Sequence, residues 1–214
     1  MGHFVCCCPF SNPPPPPPPT IECANFVEGE GNPAELTDQC EGNGSVQWDA
    51  QSVTSLSKPA CGVTWKSARV GLGPGLFSYA LRVDTFGLTN NTIPTDPSGI
   101  QIKIGIYQMP PNGPGSGSGL IQDACVKLYS GGDYVGDSKA LQVPIPEFPI
   151  SGWPYTQMTY GDSEDLWGTT LTRADIVQTT FGVGFWYEDK SITQGQFSHL
   201  VSVDCVQIRV CWEE

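Results

Sequence analysis

Apolar and polar positions alternate along much of the chain after about residue 45. In residues 99–109 (GIQIKIGIYQM) the isoleucines at 100, 102, 104 and 106 share one face of an extended chain, and glutamine, lysine and glycine occupy the other. Because side chains of a strand point alternately to its two faces, this pattern predicts a half-buried β-strand. Similar runs predict strands at residues 45–50, 62–72, 76–86, 120–130, 155–161, 180–189 and 199–212.

Two local signals refine this pattern. The apolar parity of the terminal strand changes between Val203 and Val206, which predicts a β-bulge near residues 204 and 205. Thr172 and Asp175 in LTRADI are spaced as a capping pair, which predicts a single helical turn.

The fold class follows from these strands and their turns. The 25 glycines and 20 prolines favour many short strands over helices. Short strands joined by long crossing loops predict an all-β protein, an antiparallel two-sheet jelly-roll-like β-sandwich. An immunoglobulin-type sandwich is the alternative.

The first 44 residues differ from the rest and predict an extended arm. They carry three consecutive cysteines and a run of seven prolines, followed by a polar, acidic stretch. Seven prolines in polyproline II span about 22 Å without internal hydrogen bonds. We therefore expect residues 1–44 to be a Cys/Pro-rich arm that docks between subunits, and residues 45–214 to be the β-sandwich domain.

Nine cysteines are more than a cytosolic domain of this size ordinarily has. No C-x-x-C pair is present, so disulfides in an extracellular setting are favoured over a zinc site. An odd number leaves at least one thiol free, modified or bonded between chains. The disulfide candidates are Cys6, Cys7, Cys8, Cys23, Cys40, Cys61, Cys125, Cys205 and Cys211.

Three of these cysteines lie on predicted strands, opposite the apolar face. Cys125, Cys205 and Cys211 are therefore expected to face outward and to hold a segment that lies on the sheet, with at least one bridged to residues 1–61. Partners from the arm and from the cysteine triplet of a neighbouring subunit are both open. Bridging of Cys125 to Cys205 or Cys211 within the domain is the alternative.

Charge and hydropathy limit the partners. The net charge of −12 argues against nucleic acid, since binding there depends on basic patches. The sequence contains no run of eighteen apolar residues, so no membrane span is predicted. The opening MGHFVCCCPF shows no signal-peptide pattern. The expected location is nevertheless extracellular, in a cell-surface filament or a virion, with the export route left open.

The sequence shows no catalytic constellation, and we expect neither an enzyme nor a cofactor. Its two histidines make a Ser-His-Asp triad a poor interpretation. Calcium is the one ion considered, because acidic residues cluster in two loops, although neither loop follows the EF-hand pattern. Solvated loop acids are the alternative interpretation. The acids concerned are Asp133, Asp137, Asp162, Glu164 and Asp165.

Covalent glycans are expected partners. Asn90 and Asn43 begin N-x-S/T acceptor sites in predicted loops, and Asn90 is favoured because it lies at the tip of a long loop. The proline run is a further candidate for hydroxylation and glycosylation, at Pro13, Pro14, Pro15, Pro16, Pro17, Pro18 and Pro19.

Three segments together carry a resemblance. IQDACVKLYSGGDYVGDSKA (121–140), YGDSEDLWGTTLTRADIVQTTFGVGF (160–185) and VDCVQIRV (203–210) resemble an uncharacterised jelly-roll β-sandwich domain of bacterial and phage surface proteins. The similarity extends over about residues 45–212, and Cys205 and Cys211 depart from its terminal strand. The proline arm is similar to that of extracellular glycosylated fibril subunits. The resemblance implies assembly or adhesion and no catalysis.

These observations predict a non-catalytic, self-assembling subunit of an extracellular filament. An arm that docks head-to-tail joins each subunit to the next through two different surfaces. When such contacts do not close into a ring, they generate filaments. His3, Phe4 and Val5, with Phe10, are the candidate inter-subunit residues of the arm, which would donate a strand to a neighbour. A phage or cell-surface adhesin whose sandwich binds glycans is the alternative, and a stand-alone secreted carbohydrate-binding module is a third hypothesis.

Overall fold

The computed structural model describes residues 15–32, 46, 48, 68–109, 121–145, 156–190 and 199–214. These ranges contain eleven strands and one short helix. The elements are β1 (Ile21–Cys23), β2 (Val27–Glu28), β3 (Glu30–Asn32), β4 (Ala68–Leu72), β5 (Leu81–Asp84), β6 (Gly99–Met109), β7 (Ile121–Ser130), β8 (Asp133–Val135), β9 (Thr156–Tyr160), α1 (Arg173–Ile176), β10 (Gly182–Asp189) and β11 (His199–Glu213).

The strands form two antiparallel sheets that enclose one hydrophobic core. The first sheet has the order β1-β11-β6-β9, and β2 and β4 also pair with β11. The second sheet has the order β3-β5-β10-β7-β8. All nine pairings between these strands are antiparallel. The prediction of an all-β, two-sheet sandwich is therefore confirmed.

The alternation in β6 places its isoleucines in the core. All four, at positions 100, 102, 104 and 106, are fully buried, whereas Gln101 and Lys103 on the other face are half-buried. Val126 and Leu128 of β7 belong to the same core. Full burial of one such side chain contributes about 1.5–3 kcal/mol, so the period-two pattern alone orients this strand.

The longest strand, β11, contains the predicted bulge. Its register with β6 shifts between Val203 and Cys205. The shift lets apolar residues on both sides of the irregularity point into the core, because the extra residue restores the inward parity. These core residues are Val201, Val203, Val206, Ile208 and Val210.

The predicted helical turn is present as α1. Thr172 is its N-cap, and a capping box joins the Thr172 and Asp175 side chains to each other's backbone N–H groups. Asp175 thus takes the place of the more usual glutamate.

Strands β7 and β8 form a β-hairpin. Strand β8 pairs with β7 through Tyr134 opposite Tyr129 and Asp133 opposite Ser130. The two connecting glycines, Gly131 and Gly132, have φ of 64° and 95°. A two-residue turn with positive φ at both positions matches the twist of the flanking strands.

Near the start of the domain, one predicted strand is shorter than expected, and most of another lies outside the described residues. Within residues 45–50 the structure describes Val46, which makes an isolated parallel bridge to Ser78, and the buried Trp48. Residues 76–86 contain only the short strand β5, preceded by isolated bridges at Phe77 and Ser78. The backbone of residues 78 and 79 pairs with two different segments. Tyr79 N donates to Val46 O, whereas Ser78 N donates to the β10 backbone.

The predicted separation of an arm (1–44) from a sandwich (45–214) is wrong for residues 21–32. Strands β1 and β2 pair with β11, and β3 pairs with β5. The physical reason is the length of β11: β6 covers one edge, and the other edge needs several short partners to satisfy its backbone groups. These short, polar strands have no apolar periodicity that could reveal them.

The N-terminal segment crosses from the first sheet to the second at Gly29. The Gly29 N–H donates to Val206 O at 3.1 Å, and two residues later Gly31 pairs with Val83. A Cβ at position 29 would lie 2.6 Å from a ring carbon of Phe86. A glycine is therefore needed for the backbone to pass this close to the core.

Candidate functional site

A disulfide holds the N-terminal segment to the end of the chain. Cys23 of β1 is bonded to Cys211 of β11, 188 residues away, and the two residues are also directly opposed in the β-ladder. This meets the expectation that a strand cysteine would bridge to residues 1–61. In the chain-entropy model, closing a loop of this length stabilises the folded state by roughly 5 kcal/mol, the upper end of the usual range.

Backbone hydrogen bonds extend this attachment to the proline run. Glu214 N donates to Thr20 O at 2.9 Å, and Ala24 N donates to Val210 O at 2.9 Å. Residues 15–19, the described part of the proline run, are exposed and form no strand or helix. The prolines therefore leave the sandwich from a fixed point beside the C-terminus.

Phe26 attaches the same segment to the outer face of the first sheet. Its ring centre lies 4.1 Å from Lys103 Nζ and 4.7 Å from Arg209 Cζ, which are cation–π contacts. Beside it, Gln207 Nε2 donates to Glu28 Oε1 at 3.2 Å. Side chains of β2, β6 and β11 thus clamp residues 26–28 in place.

Strand β9 is the last strand of the first sheet. Among the described residues no strand pairs with its outer edge. Gln157 and Thr159 are exposed, while Met158 and Tyr160 point into the core. An edge of this kind offers backbone N–H and C=O groups to an added strand.

The strand cysteines are on the predicted side of their sheets but are not exposed. Cys125 lies in a small cluster with Ala80 and Trp186, separate from the main core. The exposed fractions of Cys125, Cys205 and Cys211 are 3%, 5% and 0%. Cys125 and Cys205 are disulfide-bonded as well. These side chains therefore face outward from their sheets and are nevertheless covered.

The acidic loops considered for calcium use their carboxylates locally. Asp162 Oδ1 accepts from Glu164 N at 2.9 Å, and Asp165 Oδ1 accepts from Trp167 N at 2.7 Å. Asp165 also pairs with Lys139 at 2.9 Å. Within the described ranges, no group of three or more His, Cys, Asp or Glu side chains could hold a metal ion. The Asp162 and Asp165 carboxylates therefore stabilise turns of their own loop, and Asp165 also forms an ion pair with Lys139.

An open depression of about 580 Å³ lies near the same loops. Its carboxylates belong to Asp96, Glu164 and Glu213, all exposed. Asp96 is engaged with Arg173, whose backbone N–H donates to Asp96 Oδ1 at 2.8 Å. The depression is wide, acidic and solvated, and its other lining residues are Thr95, Pro97, Ser98 and Leu166.

A buried carboxylate, Asp123, lies between the sheets and has a structural role. It accepts hydrogen bonds from the backbone N–H groups of Leu141 at 2.8 Å and Gln142 at 2.7 Å. These bonds hold Gln142 at φ 53°, a conformation that costs about 1 kcal/mol or more in a residue with a side chain. Burial, and then the charge of Asp123, raise the pKa of Tyr187, and burial raises the pKa of Tyr160 well above its usual range.

His199 is the described histidine, and it pairs with a carboxylate. Its Nδ1 lies 2.9 Å from Asp189 Oδ2, joining the start of β11 to the end of β10. The pair therefore joins two strand ends.

Asn90 lies on the surface, in a turn. It is exposed, and Thr92 of the same acceptor site bonds to Thr89 through both its hydroxyl oxygen and its hydroxyl hydrogen. The other predicted site residues lie outside the described residues; they are His3, Phe4, Val5, Cys6, Cys7, Cys8, Phe10, Pro13, Pro14, Cys40, Asn43 and Cys61.

Sequence reasoning missed the residues that attach the N-terminal segment. Phe26 stands directly before Val27 in ECANFVE, and this apolar pair is too short a signal to distinguish a strand from a loop. In the sequence, Lys103 and Arg209 are polar positions on two separate predicted strands, and nothing links them to each other. Their shared contact with one ring depends on the antiparallel pairing of β6 with β11.

No protein-family model and no curated protein matches this chain. No helix in the described part is long and apolar enough to cross a membrane.

Proposed function

We propose that the protein is a non-catalytic subunit of an extracellular filament, joined head-to-tail to the next copy by the residues that precede its prolines. One observation carries this proposal: the proline run is exposed and begins at a rigidly attached point. The attachment consists of the Cys23–Cys211 disulfide and the hydrogen bond from Glu214 N to Thr20 O. A fixed origin and a stiff spacer of about 22 Å would set the distance between subunits.

The docking element is narrower than the predicted arm. Residues 21–32 complete the sheets of their own chain, so they cannot also be donated to a neighbour. Residues 1–20 are the candidate donor, in which His3 is followed by the apolar side chains of Phe4 and Val5. The outer edge of β9 is the candidate acceptor among the described strands, because added backbone hydrogen bonds need an edge.

Charge and crosslinking fit this proposal. A net charge of −12 opposes unspecific clumping of subunits, so that association would depend on the specific contact. Disulfides at Cys23, Cys125, Cys205 and Cys211 suit an oxidising, extracellular setting. Asn90, exposed in its turn, is the proposed attachment site for an N-linked glycan.

The alternative proposal is a surface adhesin whose sandwich binds glycans. Sugar rings stack on exposed aromatic faces, and the second sheet carries aromatic residues on its outer face. Tyr129 and Trp186, however, are only 6% and 4% exposed. The described residues therefore favour assembly over glycan binding.

Removal of residues 1–20 tests the proposal, because this deletion spares Cys23 and β1. Electron microscopy and light scattering should show filaments of the full chain and a folded monomer of the truncated chain. A control in which Phe4 and Val5 alone are replaced by serine should also stay monomeric, since the prolines are then intact. Filaments from either variant would refute the proposed docking element.

A further inference from the structure

One aspartate and two tyrosines meet in the apolar core between the sheets. Asp123 of β7, Tyr160 of β9 and Tyr187 of β10 are 0%, 1% and 0% exposed. Tyr160 comes from the first sheet and the other two come from the second, so the cluster spans the sandwich. Polar groups in such surroundings are favourable only when hydrogen bonds satisfy them.

A β-bulge brings Asp123 and Tyr187 together. The register of β10 with β7 shifts between Trp186 and Tyr187, so that Trp186 is opposite Cys125 and Tyr187 is opposite Asp123. Without this shift, Tyr187 would be opposite Ala124. Directly opposed side chains on one face of a sheet have Cβ atoms about 5 Å apart. The bulge therefore makes the carboxylate and the phenol neighbours on the core face.

The Asp123 carboxylate can accept more hydrogen bonds than its two backbone partners supply. Its oxygens accept from Leu141 N at 2.8 Å and from Gln142 N at 2.7 Å. An ionised carboxylate offers about four lone-pair sites, so these bonds use about half of them. A further donor would therefore stabilise the buried charge.

The Tyr187 hydroxyl is buried among apolar groups. Its ring packs edge-on against Trp48 and Phe185, with ring centres 6.1 Å and 5.9 Å away. Among the described residues, no group forms a hydrogen bond with Tyr187 Oη. A tyrosine side chain is longer than that of an aspartate, so this hydroxyl extends past the opposed carboxylate. A buried O–H donor left in this way is costly, and a small polar molecule would remove the cost.

Tyr160 approaches the same carboxylate from the first sheet. Its hydroxyl lies 3.6 Å from Met158 Sδ, which is only a weak acceptor. Burial, and then the proximity of Tyr187 and Asp123, raises the pKa of Tyr160, and burial followed by the charge of Asp123 raises the pKa of Tyr187. Both phenols therefore stay protonated, and both lie within electrostatic reach of Asp123.

We propose that Asp123, Tyr160 and Tyr187 bind one internal water molecule. The water accepts a hydrogen bond from the Tyr187 hydroxyl and donates to the Asp123 carboxylate and to Tyr160 Oη. Three hydrogen bonds are about the usual number for a buried water. The water thus connects β7 and β10 of the second sheet to β9 of the first, and this connection does not depend on the proposed assembly.

Water matches the chemistry of this cluster better than a cation does. A cation accepts no hydrogen bond, so it would leave the Tyr187 O–H donor unsatisfied. Within the described ranges, no three His, Cys, Asp or Glu side chains come together as metal ligands would. The three side chains are closed off from solvent, which favours a single small molecule over a larger ligand.

A high-resolution crystal structure of the full chain tests the proposal directly. Electron density should show one peak at about 2.5–3.0 Å from both Tyr187 Oη and an Asp123 oxygen, which are ordinary hydrogen-bonding distances. A map without such a peak would overturn the proposal. So would a peak with metal–oxygen contacts of about 2.0–2.4 Å, because it would identify a cation.

The Tyr187→Phe variant provides a second readout, because the sign of its effect distinguishes the two cases. If water binds the hydroxyl, the variant loses a satisfied hydrogen bond, and its melting temperature should fall by about 2–6 °C. If the hydroxyl has no partner, phenylalanine removes an unsatisfied polar group, and the melting temperature should stay the same or rise. Tyr79→Phe removes the same atom from a half-buried tyrosine outside the cluster and serves as the control.

A crystal structure of the Tyr187→Phe variant completes the test. The water peak should weaken or disappear, since one of its three partners is gone. An unchanged peak, or a melting temperature equal to or above that of the unaltered chain, would refute Tyr187 as a ligand of the water.

Discussion

Cys23 and Cys211 are joined both by a disulfide and as opposed residues of β1 and β11. The bond closes nearly the whole chain and ties the start of the sandwich to its last strand. It also fixes the point from which the proline run departs. The stability that this disulfide contributes and the geometry of the proposed filament therefore depend on the same two cysteines.

Replacing both cysteines by serine should destabilise the protein substantially. The double variant avoids a free thiol that could exchange with the other disulfides. Loss of this crosslink should lower the free energy of unfolding by about 2–5 kcal/mol, because the unfolded chain regains the entropy that the loop removed. Urea titration followed by circular dichroism measures the change. A loss below about 1 kcal/mol would contradict this account.

Phe26→Leu should weaken the attachment of the N-terminal segment. Leucine keeps apolar bulk but lacks the ring that faces Lys103 and Arg209. The expected cost is about 0.5–2 kcal/mol in unfolding experiments, the usual range of cation–π contacts. Phe26→Tyr retains the ring and serves as the control. Equal stability of the two variants would show that the ring contributes no more than its volume.

Gly29→Ala should be destabilising, in contrast to Gly73→Ala. The new Cβ at position 29 would lie 2.6 Å from the Phe86 ring and 2.7 Å from Val83 Cγ1, so the core must shift. Overpacking of this kind costs about 1–3 kcal/mol. At Gly73 the nearest atom is 3.5 Å away, on Leu76, and the change should be within about 0.5 kcal/mol of neutral or slightly stabilising. Thermal unfolding of both variants checks the difference.

The stability contributed by the helix cap should be lost in acid. Hydrogen bonds from the Thr172 backbone N–H and then its hydroxyl lower the pKa of Asp175 below 3.8. A lowered pKa means that the contribution is complete above about pH 4 and disappears as the pH falls through the folded-state value. Carboxyl NMR titration of Asp175 should show this low value.

Thr172→Ala is the matched test of that cap. It removes the hydroxyl but keeps the backbone donor, so the pKa of Asp175 should rise only part of the way toward 3.8. The lost cap should cost about 0.5–2 kcal/mol at neutral pH. An unchanged Asp175 titration in this variant would contradict the hydrogen-bonding explanation.

Asn90 should carry a glycan when the protein is secreted by a host that glycosylates asparagine. The residue is exposed in its turn, and Thr92 completes the acceptor site. Intact-mass analysis should show loss of the glycan in Asn90→Gln. Asn91→Gln changes the neighbouring residue and preserves the acceptor pattern, so it should keep the glycan. An unmodified Asn90 peptide from the unaltered chain would refute the assignment.

Sequence patterns formed by residues close together along the chain were sufficient to predict much of the sandwich. The isoleucines of β6 and the parity change in β11 identify inward faces because strand side chains alternate regardless of partner. The capping pair at Thr172 and Asp175 is likewise closed within one turn. These features follow from local geometry, so the amino-acid sequence alone determined them.

The tertiary structure decided which distant segments meet. Cys23 finds Cys211, and Phe26 finds Lys103 and Arg209, only because the unpaired edge of β11 accepts β1 and β2. The burial of Cys125 likewise depends on Trp186 of the neighbouring strand β10 and on Ala80, which its own strand does not encode. Once the long strands have paired, their remaining unsatisfied backbone N–H and C=O groups select which distant segments pair with them. Short polar strands have no hydrophobic periodicity, so the sequence does not show which strand they will join.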